Sequence, residues 1–425
     1  MTSNDRMRTV YGNAYGDQDE ERGIRDASYD PPTEAVDREP QKEASKDFSS
    51  GQIVILIARW LLIGAGFLIT LWSPEEKYLD PIKITLIFLF GLAVANFYLH
   101  AQLLMKRPVR ALIVYAASAV DIAVVTIIIA AFGSGLNDPL FVFYYPALLA
   151  LALVFPLAVT CSFTVGLMLV YVLVGLSLRP DAAELQVLVA RMISLVAVAA
   201  VGATYQFIER RRHANASSTH VPARTTPLVE AREDLYYGQV VIIIARWALI
   251  LAGIVVSLWS AKSIADVSVP VMLMGVLMAM NFYLHGRYLV NQPVNAKMVY
   301  LSSFADIVIV TLIVLFWTQG KGPGIHSPLF VFLYPALLSF ALVFPPRITA
   351  LFSAVTLLSY VGVVLVGSGM PDVNAQKTLV ERLITLAATA GLGTYFWRIQ
   401  RNRRRVAQTA HDGLLDEVAV FTDGR

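Results

Sequence analysis

The chain has 425 residues, of which 56% are hydrophobic and only 15% charged, and a formal net charge of +3. A water-soluble protein of this length needs more polar side chains to cover its surface, so an ordinary soluble globule is excluded. The single cysteine, Cys161, excludes a disulfide, an iron–sulfur cluster or a thiolate zinc site within one chain. No metal or other cofactor is expected, and no nucleic-acid partner.

Residues 1–50 hold twelve acidic and seven basic side chains, three prolines and no apolar cluster, which predicts a disordered polar tail rather than a signal peptide. Apolar blocks of about 20 residues, the length a helix needs to cross a bilayer, then begin. Because backbone amides in lipid must pair within their own segment, these blocks predict helices. They are continuous rather than alternating, which argues against a barrel. Six spans are predicted in residues 51–212, near 52–72, 82–103, 111–132, 140–157, 159–178 and 187–208.

A polar linker at 213–237 follows, and then the pattern returns in 238–405. "GQIVILIARW" at 51–60 is answered by "GQVVIIIARW" at 238–247, "NFYLH" at 96–100 recurs at 281–285, and "PLFVFYYPAL" at 139–148 recurs as "PLFVFLYPAL" at 328–337. The second set of spans falls near 239–259, 269–289, 297–317, 329–344, 347–367 and 378–398, and residues 406–425 form a short tail. The predicted fold is all-α: a polytopic membrane protein of about 12 helices in two parallel six-helix repeats, related by a pseudo-twofold axis along the membrane normal. The fourth span of each repeat is short and contains a proline, Pro146 or Pro335, so a re-entrant segment stays open there.

Basic residues mark one side. "MKRPVR" at 105–110, Arg210–Arg212, Arg347 and five arginines within 398–405 all fall on one face if each repeat has six spans. The positive-inside rule assigns that face, both termini and the linker to the cytoplasm.

Polar groups recur at matching positions inside the spans: Arg59 with Arg246, Asn96 with Asn281, Asp121 with Asp306, and Arg191 with Arg382. Arg59 lies eight residues into its span, about 12 Å deep at the helical rise, and Asp121 is at similar depth. Ion pairs Arg59–Asp121 and Arg246–Asp306 are therefore expected, either as fixed locks between helices or as a proton relay or switch. Arg191 and Arg382 lie near the outer ends of their spans, where snorkelling to water is expected. His100 and His285 are read as interface groups rather than metal or haem ligands.

Each repeat resembles the six-helix membrane sensor region of bacterial histidine kinases, on the "ARW" of the first span and the P-L-F-x-F-x-Y-P-A-L stretch after the third. The tail "RRRVAQTAHDGLLDEVA" at 403–419 is similar to a kinase phosphoacceptor box, R-x-x-A-R-E-L-H-D-G-x-x-Q. The resemblance matches His411 to the phosphoacceptor, Asp412 to the adjacent acid and Gly413 to the glycine. Thr409 and Ala410 replace the usual Glu-Leu, and no ATP-binding domain follows, so self-phosphorylation is not expected. The resemblance implies a non-enzymatic sensor or scaffold in a bacterial inner membrane, touching lipid and signalling to a protein partner or a second copy. A secondary transporter of two six-helix halves is the alternative, and an integral enzyme acting on lipid or isoprenoid is a third reading.

Overall fold

A computed structural model describes residues 33–72, 79–105, 109–132, 139–177, 180–218, 227–260, 264–290, 292, 294–317, 323–369 and 371–423. Of residues 33–50, 79, 131–132, 139, 183, 213–218, 227–234, 260, 264–266 and 405–423 it describes the backbone alone. Every element among the described residues is helical. Repeat 1 comprises α1 (Thr33–Leu71), α2 (Leu79–Leu104), α3 (Ala111–Phe132), a 3₁₀ turn (Pro139–Phe143), α4 (Tyr144–Val154), α5 (Leu157–Ser177) and α6 (Ala182–Ser218). Repeat 2 comprises α7 (Pro227–Ser260), α8 (Ile264–Leu289), α9 (Ala296–Leu315), 3₁₀ turns Gly324–His326 and Pro328–Phe332, α10 (Leu333–Val343), α11 (Pro346–Ser368) and α12 (Val373–Asp423). Nine of the described helices are long and apolar enough to cross a bilayer. The chain is an all-α, multi-pass membrane protein.

Three boundaries differ from the pattern-based reading. Helix α1 begins at Thr33, within the polar tail, and the linker is largely absorbed into α6 and α7. Helix α12 continues to Asp423. The Glu, Ala, Arg and Leu residues of 227–234 and 406–423 favour helix, which hydrophobic periodicity alone does not register.

The contacts of repeat 1 recur in repeat 2. Gln52 Nε2 donates to the Val109 carbonyl at 3.1 Å, as Gln239 does to Val294 at 3.2 Å. Trp60 meets Phe97 edge-on as Trp247 meets Phe282. Tyr115 meets Phe155 as Tyr300 meets Phe344. A methyl group at Gly51 would strike the Val154 side chain, and one at Gly238 that of Val343, so each glycine makes room for a valine of the fourth helix of its repeat.

These contacts give the direction of the fourth helix. Gly51 and Gln52, at the start of the first membrane span, lie beside the end of α4 and the start of α3. Along α6, Arg191 lies over Phe141 and Gly202 faces Ala152, so α4 runs parallel to α6. The segment 139–154 therefore descends through the bundle and does not turn back. It covers about 26 Å, part in 3₁₀ and part in α geometry. Such irregular backbone survives at membrane depth only where protein buries it, and α4 is enclosed almost completely, with Tyr144, Tyr145, Leu148 and Leu149 at 0% exposure. Pro146 and Pro335 fall in the first turn of their helices, where proline is tolerated.

The axis relating the repeats is visible in residues that touch their own counterparts. Tyr145 stacks on Tyr334 with centroids 3.9 Å apart, Phe141 meets Phe330 at 6.1 Å, and Tyr205 meets Phe396 at 6.0 Å. Phe141 lies level with Arg191, and Tyr205 is fourteen residues further along α6, about 21 Å away. Counterparts meeting at two such separated depths require an axis along the helices. An axis in the membrane plane would bring them together at one depth only. The repeats are thus parallel, with α4, α6, α10 and α12 at the centre. Helices α2, α5, α8 and α11 are peripheral and expose large apolar side chains such as Phe90, Leu169, Met272 and Leu358, as a lipid-facing shell does.

Candidate functional site

Two kinds of polar site interrupt the apolar interior. The first is the pair of intramembrane ion pairs. Helices α1 and α3 bring Arg59 Nε to 3.0 Å from Asp121 Oδ1. Helices α7 and α9 hold Arg246 and Asp306 by two parallel bonds, Nε to Oδ1 at 2.7 Å and Nη2 to Oδ2 at 2.6 Å. All four residues are buried. The pairs are chemically identical but unequally closed: the second is a fork-to-fork clamp, the stronger geometry for arginine and carboxylate. In both repeats the arginine Nη1 (Arg59, Arg246) and the neighbouring serine Oγ (Ser118, Ser303) are buried with no hydrogen-bond partner among the described residues, so the difference lies in the carboxylate, held through one oxygen in the first pair and through two in the second. The asparagines differ as well. Asn281 Nδ2 donates to the Ile243 carbonyl at 3.3 Å, bracing α8 against α7. Both amide atoms of Asn96 are buried with no partner among the described residues.

The second site lies on the axis. Arg191 and Arg382 do not snorkel: they are 4% and 8% exposed and point into the bundle. The guanidinium of Arg191 stacks on the Phe141 ring at 3.4 Å and donates to the Tyr171 hydroxyl at 2.7 Å. That of Arg382 stacks on Phe330 at 3.6 Å and donates to the Tyr360 hydroxyl at 2.6 Å and the Ile325 carbonyl at 2.7 Å. The last bond explains why a charge belongs there. Gly324, at φ 70, opens the short 3₁₀ turn that carries Ile325, and the guanidinium supplies the Ile325 carbonyl with a donor. Distance to the end of a span misjudged these arginines because α6 and α12 are central, and their nearest polar partners lie sideways on the 3₁₀ segments.

Around the arginines, the Tyr334 hydroxyl shares a 2.6 Å bond with Thr385 Oγ1, and Ser194 Oγ donates to the Val331 carbonyl of the other repeat at 2.7 Å. Glu381, beside Arg382, is 1% exposed. Tyr171, Tyr360, Ser194, Thr385 and Glu381 belong to the cluster without standing out in the apolar pattern of the sequence. Tyr171 and Tyr360 carried a usable signal: they occupy matching positions of the two repeats, as the arginines do. Tyr171→Phe and Tyr360→Phe are each expected to cost about 1.5–3 kcal/mol, the worth of a hydrogen bond to a charged group. Equilibrium unfolding in mixed detergent micelles measures this, and a change within error would show that stacking alone holds the guanidiniums.

At the opposite end of α6 and α12, Glu209 lies 3.4 Å from Arg212 and 3.6 Å from Arg404, tying the repeats together. Arg211 lies over Phe207, Arg212 over Tyr237 and Arg401 over Trp397. Trp247 Nε1 donates to His285 Nδ1 at 3.4 Å within repeat 2. Among the described residues no group of three or more His, Cys, Asp or Glu side chains is placed to hold a metal. His411 falls on the last part of α12, beyond the described side chains.

Compared with protein-family models, curated proteins and solved structures, the chain matches none.

Proposed function

We propose that this protein is a membrane sensor without catalytic chemistry of its own, which passes a change in its buried core to a partner at the arginine-rich end. The observation that carries this reading is the continuity of α12. Arg382 sits in the axial cluster, and the same helix runs on unbroken to Asp423, about 60 Å away at the helical rise. A shift or rotation of the cluster displaces the far end of such a helix directly, and α6 offers a second, shorter rod. A two-state core biased by a ligand or by the bilayer supplies the input. The stacked pair Tyr145–Tyr334 closes the axis, where a substrate path between the halves would run, and this favours the sensor over a transporter.

The resemblance to kinase sensor regions fits the same reading, with the partner another signalling protein or a second copy of this chain. It implies a bacterial inner membrane with the arginine-rich face and both termini in the cytoplasm. Single cysteines at Ser50, Ser217 and Thr422, in a Cys161→Ser background, are then expected to resist an impermeant thiol reagent in intact cells. Labelling at Ser217 with protection at Ser50 would overturn the orientation.

The relay is tested by phase. One alanine inserted after Arg405 rotates everything beyond it by about 100°, whereas seven return the face almost to register. Photo-crosslinkers within 406–423 should capture the partner in cells. The yield should drop with one added residue and recover with seven. Equal yields throughout would remove the rod from the mechanism. Solute uptake into proteoliposomes, abolished by Asp121→Asn or Asp306→Asn, would make the secondary transporter the better reading.

A further inference from the structure

A narrow crevice opens between α1, α3 and α4 beside the first ion pair. Its polar floor is made by Arg59, Asp121 and Ser118, and its walls are apolar, including Leu62, Ala147 and Leu151. The floor is underused. Arg59 Nη1 and Ser118 Oγ are buried with no hydrogen-bond partner, and Asp121 engages Arg59 through Oδ1 only. A buried donor left unmade is costly, and here the unmade groups converge on one opening. In repeat 2 Arg246 Nη1 and Ser303 Oγ are likewise without a partner among the described residues, but the homologous carboxylate is closed by its arginine through both oxygens, so only Asp121 keeps an oxygen that its arginine does not engage.

The chemistry of the opening narrows what fits it. The pair is already charge-balanced, so an anion or a cation would leave a net charge in the membrane interior. The whole crevice has room for a group about the size of a water molecule, so only the head of a larger molecule enters it. A carbonyl would satisfy the donors and leave Asp121 Oδ2 unfilled. A hydroxyl serves as acceptor for Arg59 or Ser118 and as donor to Asp121. The walls require the rest of the molecule to be apolar, the usual balance of a small-molecule pocket.

We propose that the crevice at Arg59, Ser118 and Asp121 binds the hydroxyl head of a neutral, otherwise apolar molecule, and that repeat 1 alone carries this site. The assignment concerns occupancy and holds whether or not α6 and α12 carry a signal.

The test is photolabelling of the intact protein in phospholipid vesicles with a diazirine-bearing octanol. Labelled peptides should contain 55–62 and 147–151, and their counterparts at 242–249 and 336–340 should stay at background. 1-Octanol should compete about ten-fold better than octane, the worth of one hydrogen bond to a charged group. Ala147→Phe, which fills the opening from α4, should remove the label from 55–62. Ala336→Phe, its counterpart, should leave that label unchanged if folding is preserved, as judged by circular dichroism. Labelling spread over lipid-facing residues such as Phe90 and Leu169, equal competition by octane, or equal labelling of both repeats would each overturn the proposal.

Discussion

Arg246→Ala is expected to destabilise the protein by about 3–5 kcal/mol, the cost of breaking a buried ion pair from one side. Both carboxylate oxygens of Asp306 are engaged by this one guanidinium, at 2.7 and 2.6 Å, and its removal strands a charge in a dry site. The double replacement Arg246→Leu with Asp306→Leu should recover most of the loss, because it removes both charges and keeps the volume apolar. Arg59→Ala should cost less than Arg246→Ala: Asp121 loses one bond rather than two and borders an opening that can admit water. Equilibrium unfolding in mixed detergent micelles, followed by circular dichroism, ranks the three variants. A single Arg246→Ala no worse than the double variant would show that the pair contributes little to holding α7 on α9.

Gly393→Leu and Gly202→Leu are expected to be as damaging for a different reason. A Cβ at Gly202 would lie 2.8 Å from Ala152 Cβ, and one at Gly393 would lie 2.8 Å from Ala341 Cβ, closer than real carbon atoms approach. These contacts set α6 against α4 and α12 against α10, the central pairs of the bundle. Overpacking of this kind costs about 1–3 kcal/mol per site, and leucine should lie at or beyond the upper end. Because the sites lie in separate helix pairs, their costs should add, and the double variant should fail to fold. Gly393→Ala combined with Ala341→Gly moves the methyl group to the opposite helix and should restore stability. Failure of that exchange to rescue would mean that the glycine serves backbone flexibility rather than close approach.

The sequence made the duplication, the apolar spans and the ion pairs legible, because each rests on a local or periodic signal. Arg59 and Asp121 were matched by depth alone, and depth was sufficient since α1 and α3 start at the same face. Depth does not place Arg191 and Arg382. Their partners, Phe141, Tyr171, Phe330 and Tyr360, lie on elements whose proximity follows from the bundle arrangement. The unequal closure of the two ion pairs was invisible for another reason: the four residue types are identical in both copies. The difference arises in packing, from one bond against two. The route of 139–154 was ambiguous because a short apolar helix with a proline suits either a crossing or a return, and the neighbours that decide between them, Gly51 and Gly202, are distant in sequence.

The meeting of counterpart residues on the axis has a stoichiometric consequence. In a symmetric dimer of single repeats, any residue type beside the axis appears twice or not at all. Glu381 occupies the position that is Ala190 in the first repeat, and both are buried next to the axial arginines. A fused chain can therefore bury one carboxylate in the two central helices beside two arginines, a one-to-two ratio at these positions that identical subunits cannot reach. Ser194 against Thr385 and Tyr205 against Phe396 are smaller departures of the same kind. Joining the repeats in one polypeptide lets a buried acid stand at one position and not at its counterpart, as Glu381 does against Ala190 and Glu209 against Gln400, an asymmetry that identical halves are forbidden to have.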